Sequence, residues 1–186
     1  MQNDLLLETI KTTLQKSKVE KLAAVASEKS FSVKDLIDLS FNHDEQIGFR
    51  AAWILENVYS AHQVRFLPYT SYFLEKLPQQ SNLSALRHYV KILAFMTKKN
   101  ASAAIKAIIA GYETDHLVEV VFAWLIDDKI PVATKSYCLN ILANLNTKHP
   151  WIREELLQTM DFLVDQESIA FFAKVKQIRK QFSVRI

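Results

Sequence analysis

The chain has 186 residues, a length that suits one domain with a continuous hydrophobic core. Its formal net charge is only +3, which argues against a protein that follows nucleic-acid phosphates with a strongly basic surface. Two glycines and four prolines are too few for a protein built of strands and turns or for flexible linkers, so the composition predicts an all-helical chain.

Cys138 is the only cysteine, which excludes an intramolecular disulfide and is typical of a protein in a reducing compartment. Its neighbours Tyr137, Leu139 and Ile141 indicate a thiol in the core. The N-terminus lacks the pattern of a secretory signal, and the longest apolar run, residues 117–126, is far shorter than the roughly 20 residues of a membrane span. We therefore expect a cytoplasmic protein that does not enter a membrane.

The first part of the chain shows apolar residues at helical spacing. Residues 4–27 are predicted to form one long or two short helices. Ser32 with Asp35 three residues later resembles a capping box that opens a short helix, and Asn42 with Glu45 repeats this spacing before a longer helix.

The middle of the chain continues the helical pattern. Residues 63–77 are predicted to be a helix with Pro68 near its first turn, where the missing N–H does little harm. Ser81 or Asn82 is the expected N-cap of the helix that follows.

Further helices are predicted toward the C-terminus. Residues 101–110 form a short apolar helix that Gly111 should end. Several valines in residues 117–126 favour a strand, but no partner strand exists elsewhere, so we predict a buried helix. Pro131 and Pro150 stand at the starts of the next two helices.

An internal repeat links three of these helices, which contain the related sequences ILEN, ILAF and ILAN. Their anchor residues Leu55, Leu93 and Leu142 are separated by 38 and 49 residues. The first interval is the length of one helical hairpin, and the longer second interval has room for the additional helix that ends before Gly111. Repeats of this length predict stacked helical hairpins.

Residues 117–145 resemble one unit of the HEAT and armadillo-type repeats. In such a unit an outer helix leads through a turn that often bears Asp to an inner helix that begins with a basic residue. Asp127 or Asp128 corresponds to the turn acid, and Lys135 corresponds to the basic residue.

A second unit matches the same pattern earlier in the chain, with Asp44 in the turn and Arg50 in the inner helix. The middle unit departs from the pattern because its turn, PQQSN, contains no acid. The tetratricopeptide repeat is a weaker match, since its 34-residue period and its Trp-Leu-Gly-Tyr-Ala pattern are missing.

The resemblance implies an all-α fold, an α-α superhelix of stacked helical hairpins. It implies a single domain over residues 1–186, with repeats in residues 32–165. Residues 1–31 would cap the array at its start, and residues 166–186 would cap it at its end.

The outward faces of the inner helices are where we predict a functional surface, because in such arrays these faces line one concave side. A rotation of about 100° per residue separates them from the core positions. Each inner helix then presents one aromatic residue among polar ones. This predicted inner-helix ridge consists of Arg50, Trp53, Asn57, His88, Lys91, Phe95, Lys98, Tyr137, Asn140 and Asn144.

Aromatic and basic residues on one exposed face suit an interaction surface, because aromatic rings gain from desolvation and cations steer the partner. We therefore expect a non-enzymatic module whose partner is another protein or a peptide. The other possibility is that these rings pack on neighbouring helices as part of the fold. The sequence does not indicate an oligomeric state.

Catalytic patterns are mostly missing. The five histidines lack the spacing of a metal-binding helix, and the chain has no glycine-rich phosphate loop, so we predict no metal site and no cofactor. The alternative function is a nucleic-acid-binding HEAT-like protein, possibly a DNA glycosylase-like enzyme, with Arg50, Trp53 and Tyr137 along its groove. The predicted ridge contains no Asp or Glu, which counts against this alternative.

Overall fold

The structure is a computed structural model that describes residues 2–12, 14–25 and 31–183, with side chains from residue 6 onward. Within these ranges every regular element is helical, which confirms the all-α prediction. Residues 26–30 and 184–186, which belong to the predicted capping segments, lie outside the described residues. No helix in the described ranges is both long and apolar enough to span a membrane.

The chain divides into two compact units, residues 1–92 and residues 93–186. The first unit contains α1 (Gln2–Lys11), α2 (Lys16–Val25), α3 (Val33–Leu39), α4 (Glu45–Ala61), α5 (Gln63–Phe66), α6 (Thr70–Lys76) and most of α7 (Leu83–Met96). The second unit contains the end of α7 and then α8 (Ala103–Gly111), α9 (Asp115–Ile126), α10 (Val132–Leu145), α11 (Ile152–Leu163) and α12 (Ile169–Ser183).

Helix α4 is the centre of the first unit, where it packs against α1, α2 and α3. The side chains predicted for its core face recur every three or four residues, so they fall on one side of the helix. All of them are buried, as predicted, and they are Ile47, Ala51, Ile54, Leu55 and Val58.

The start of α3 is the capping box predicted from Ser32 and Asp35. The matching prediction for α4 is wrong, because the N-cap is Asp44, whose carboxylate accepts from the backbone N–H groups of Gln46 and Ile47. The side chain of Asn42 instead accepts from the N–H of Asp44 and so shapes the turn before the cap. The helix therefore begins later than the Asn42 spacing implied.

Residues 63–77 are less regular than predicted. Helix α5 ends at Phe66, a 3₁₀ turn with Pro68 inside it follows, and α6 begins at Thr70. The ring of Pro68 removes a backbone donor within what would have been a continuous helix, which favours such a break. Asn82 is the side chain that caps α7, because its Oδ1 accepts from the N–H groups at positions 84 and 85.

The second unit is built around α10, which packs against α9, α11 and α12. Residues 117–126 lie within α9, so the helix preferred over a strand is confirmed. Helix α8 ends at Gly111 as predicted, although this glycine does not adopt a positive φ. Pro131 immediately precedes α10, and Pro150 lies two residues before α11.

Candidate interaction surfaces of the two units

The first unit contains a carboxylate that is hydrogen-bonded to two side chains of α7. Nδ1 of His88 donates to Oε2 of Glu56 at 2.6 Å, and Nζ of Lys91 donates to Oε1 at 2.5 Å. The side chains of Glu56 and His88 are each 12% exposed, whereas that of Lys91 is 30% exposed. Glu56 thus fixes two of the predicted ridge residues, and α4 and α7 are joined through it.

Burial alone would raise the pKa of the Glu56 carboxyl. The hydrogen bonds from His88 and Lys91, together with their charge, outweigh burial and hold the pKa below its usual value. The carboxylate is therefore ionised at neutral pH, and both of its oxygens have a donor. Glu56 is not one of the predicted ridge residues, and because both of its oxygens are bound it is not free to act on a ligand.

An aromatic patch, formed by the rings of Phe49, Trp53 and His88, lies beside this carboxylate. The ring centroids of Phe49 and Trp53 are 5.9 Å apart in a stacked arrangement, and those of Phe49 and His88 are 5.4 Å apart. All three side chains are partly exposed. Because Glu56 holds the His88 ring, one edge of the aromatic patch has a fixed orientation.

Arg50 and Asn57 make structural contacts in the same unit. Nη1 of Arg50 donates to the backbone oxygens of Ile10 at 3.0 Å and Lys11 at 2.7 Å. These oxygens are at the C-terminal end of α1, where a cation is favoured by the helix dipole. The amide of Asn57 donates to the backbone oxygen of Trp53 at 2.9 Å. Arg50 therefore ties α1 to α4, and Asn57 is bound to its own helix.

The remaining ridge residues are in the second unit. Phe95, Tyr137, Asn140 and Asn144 are partly exposed, and Lys98 is exposed. The ammonium of Lys98 lies 4.1 Å from the ring centroid of Phe95, a cation–π distance. The structure thus places every ridge residue at an intermediate or exposed position within its own unit, and a single shared face remains a prediction.

A cleft of about 290 Å³ in the second unit includes two of these residues, Lys98 and Asn144. It joins the end of α7 to α8 and to the end of α10. We call it the lysine cleft, and its lining consists of Met96, Thr97, Lys98, Lys106, Ile109, Ala110, Asn144, Leu145, Thr147 and Lys148. Lys99 borders the same space.

Lys148 has a structural role at the edge of the lysine cleft. Its Nζ donates to the backbone oxygens of Ile109 at 3.4 Å and Ala110 at 3.2 Å, and also to that of Tyr112. These carbonyls mark the end of α8, which contains no basic residue in its last turn. Lys148 therefore satisfies carbonyls that the helix itself leaves without donors.

A chain of polar contacts around His149 resembles the order of groups in a catalytic triad. Nε2 of His149 lies 2.6 Å from Oγ1 of Thr114, and its Nδ1 lies 3.2 Å from Oδ1 of Asp115. However, Thr114 is only 1% exposed, so a substrate could not reach its hydroxyl. The contacts instead fasten the turn after α10 to the start of α9.

The residues that sequence reasoning missed are those whose partners come from distant parts of the chain. Glu56 is a charged residue among core positions of α4, and this was the one local sign of its role. Nothing near Lys106 or Lys148 in the sequence indicates the lysine cleft, because its two sides are about one repeat apart in the chain. The structure also gathers no group of three or more potential metal ligands among the residues that it describes.

A family model described as a HEAT repeat domain matches residues 6–182. The chain belongs to the HEAT repeat family. A comparison with curated proteins found no match. HEAT repeats are helical scaffolds that commonly mediate protein interactions and are typically not enzymes.

The two basic residues assigned from the HEAT pattern have different partners in the structure. Arg50 binds the end of α1, as described above, while Lys135 forms an ion pair with Glu167 just before α12. Neither forms an ion pair with the candidate turn acids Asp44, Asp127 or Asp128 within the described residues. In both HEAT units the basic residue of the inner helix therefore binds either a terminal helix or the residues just before one.

Proposed function

We propose that this HEAT repeat protein is a non-enzymatic interaction module that binds another protein or a peptide in the cytoplasm. The observation that carries the proposal is the aromatic patch of Phe49, Trp53 and His88. Its rings stack on one another, remain partly exposed and include one ring held by the buried carboxylate of Glu56.

Such a surface can bind a partner at a low cost in conformational entropy. The stacking and the Glu56 contact already restrict the rings, so little side-chain freedom is left to lose on binding. Trp and other aromatic residues also provide most of the binding energy at many interfaces when a partner excludes water from them. Lys91 shares the Glu56 carboxylate with His88, and its side chain is 30% exposed, so it can add a polar contact at the margin of the patch.

The inner-helix ridge as a whole extends this proposal to the second unit. Phe95 with Lys98, and Tyr137 with Asn140 and Asn144, repeat the combination of a ring with polar groups. We propose that a partner contacts these residues in both units, as expected for a HEAT array that uses one face of its inner helices.

The geometry of the first unit favours this function over a DNA glycosylase-like enzyme. The guanidinium of Arg50 is engaged by backbone oxygens, and the carboxylate of Glu56 is engaged by His88 and Lys91. These groups serve the fold, whereas base excision would require a groove cation and an acid that are available to a ligand.

The test compares partners captured by the wild-type protein with those captured by Trp53→Ala, using cross-linking in cells and purification of the tagged chain. Phe162→Ala is the matched control, because Phe162 is an aromatic residue outside the predicted ridge that is 64% exposed on α11. We expect Trp53→Ala to reduce capture of a specific partner about tenfold or more. Phe162→Ala should leave capture unchanged.

Circular dichroism establishes that each variant is folded, and Trp53→Leu provides a second variant with more apolar volume. Equal capture by the wild-type protein and both Trp53 variants would contradict the proposed use of the aromatic patch.

A further inference from the structure

The lysine cleft differs from the aromatic patch in its charge. Lys98, Lys106 and Lys148 line it, and Lys99 borders it, but no Asp or Glu is among its lining residues. Lys148 is occupied with the carbonyls at the end of α8. Within the described residues, Lys98, Lys99 and Lys106 form no ion pair, so the cleft has an excess of positive charge.

A further lysine increases this excess. Lys174 of α12 is partly buried, and its pKa is lowered by burial and then by the nearby charge of Lys98. Like charges gathered without acids repel one another, and a bound anion would relieve this repulsion. The arrangement therefore suits a negatively charged ligand.

The floor of the lysine cleft is apolar. It is made by Met96, Ile109 and Leu145, which are nearly buried. A methionine at such a position adapts to side chains of different shape. A volume of about 290 Å³ lies at the small end of ligand sites, which suits one or two side chains better than a cofactor.

The polar groups of the cleft favour carboxylates on a peptide over phosphates on a nucleic acid. The hydroxyls of Thr97 and Thr147 already donate to backbone oxygens of α7 and α10, so they are not spare donors for a phosphate. The lining contains no arginine for bidentate phosphate binding and no aromatic ring for stacking with a base. A nucleic-acid backbone would also leave the apolar floor without a partner.

We propose that the lysine cleft binds an acidic segment of a partner protein, in which an apolar side chain occupies the floor and flanking Asp or Glu side chains pair with Lys98, Lys99 and Lys106. The inference rests on the proposed function and specifies the chemistry of the partner.

The test is a selection of random phage-displayed peptides on the full-length protein, followed by binding measurements with the synthetic consensus peptide. Lys98→Gln/Lys106→Gln removes two charges from the cleft. Lys129→Gln/Lys180→Gln is the matched control, since it removes the same charge from exposed positions of the second unit outside the cleft.

We expect a consensus with an aliphatic or aromatic residue next to acids. Its Kd should rise about tenfold or more in Lys98→Gln/Lys106→Gln and change less than about twofold in the control. Binding should also weaken as salt is raised from about 50 mM to about 500 mM. A consensus without acids, or one that binds the cleft variant as well as the wild type, would overturn the inference.

Two further outcomes separate this inference from the proposed function. If the selected peptides lose binding in Trp53→Ala but not in the cleft variant, the interaction module stands and the lysine cleft is not its peptide site. If no peptide is enriched while duplex DNA or pyrophosphate binds and depends on Lys98 and Lys106, the cleft is a phosphate site and the acidic-peptide inference is wrong.

Discussion

Lys135 and Glu167 form an ion pair within the second unit, although both are largely withdrawn from water. The side chain of Lys135 is 2% exposed, and that of Glu167 is 15% exposed. Lys135 belongs to the first turn of α10, while Glu167 stands just before α12. The ion pair therefore attaches the residues just before α12 to α10, the central helix of the unit.

Glu167→Gln should lower the free energy of unfolding by about 3 kcal/mol, because it leaves the buried ammonium of Lys135 without its counter-charge. Urea denaturation followed by circular dichroism measures the change. The double variant Lys135→Met/Glu167→Leu serves as the control and should be much closer to wild type, since it removes both charges together. A small effect of Glu167→Gln alone would show that the ammonium reaches water.

Glu56→Gln should destabilise the first unit by about 2 kcal/mol at neutral pH, because the hydrogen bonds from His88 and Lys91 lose their charged acceptor. The pKa of Glu56 in the folded protein lies below its unfolded value. The stabilisation by the carboxylate is therefore full above the unfolded pKa of about 4.3 and is lost as the pH falls through the folded pKa.

Urea denaturation of the wild type and Glu56→Gln over a series of pH values tests this dependence. The difference between the two proteins should shrink as the pH is lowered into the acidic range. Glu155→Gln, at an exposed position on α11, should match the wild type throughout. A difference that stays constant with pH would contradict the role assigned to the ionised carboxylate.

The sequence predicted the elements of this fold better than their contacts. The spacing of apolar residues identified the buried face of α4, because helical periodicity is local. It could not show that Glu56 meets His88 or that Lys148 reaches the end of α8, since these partners are brought together by packing. The HEAT register likewise located Arg50 and Lys135 but not the groups that they bind.

Cys138 is buried, as its apolar neighbours predicted, and burial raises the pKa of its thiol to about 12. Because the thiolate is the reactive form, we expect no reaction with an aromatic disulfide reagent until the protein opens. The labelling rate should rise with urea in parallel with unfolding. Ser60→Cys, at an exposed position of α4, should label at once and provides the control. Rapid labelling of native Cys138 would contradict its burial.

Gly48 and Gly111 should respond in opposite directions to replacement by alanine. A Cβ at Gly48 would lie 3.0 Å from the backbone oxygen of Ser40 and 3.1 Å from Nδ2 of Asn82. Neither neighbour can move freely, because the Ser40 oxygen accepts from Gln80 and the Asn82 amide donates to the backbone of α4. At Gly111, by contrast, a Cβ meets no atom within 4 Å.

Alanine favours a helix over glycine by about 0.5–1 kcal/mol, but overpacking costs about 1–3 kcal/mol. We therefore expect Gly48→Ala to lower Tm by several degrees, and Gly111→Ala, at the last residue of α8, to raise it slightly. Thermal denaturation of the two variants beside the wild type measures both shifts. Helix propensity alone would raise Tm in both variants. Equal changes in Tm would therefore mean that the added Cβ at position 48 causes no steric strain against Ser40, and would contradict the prediction.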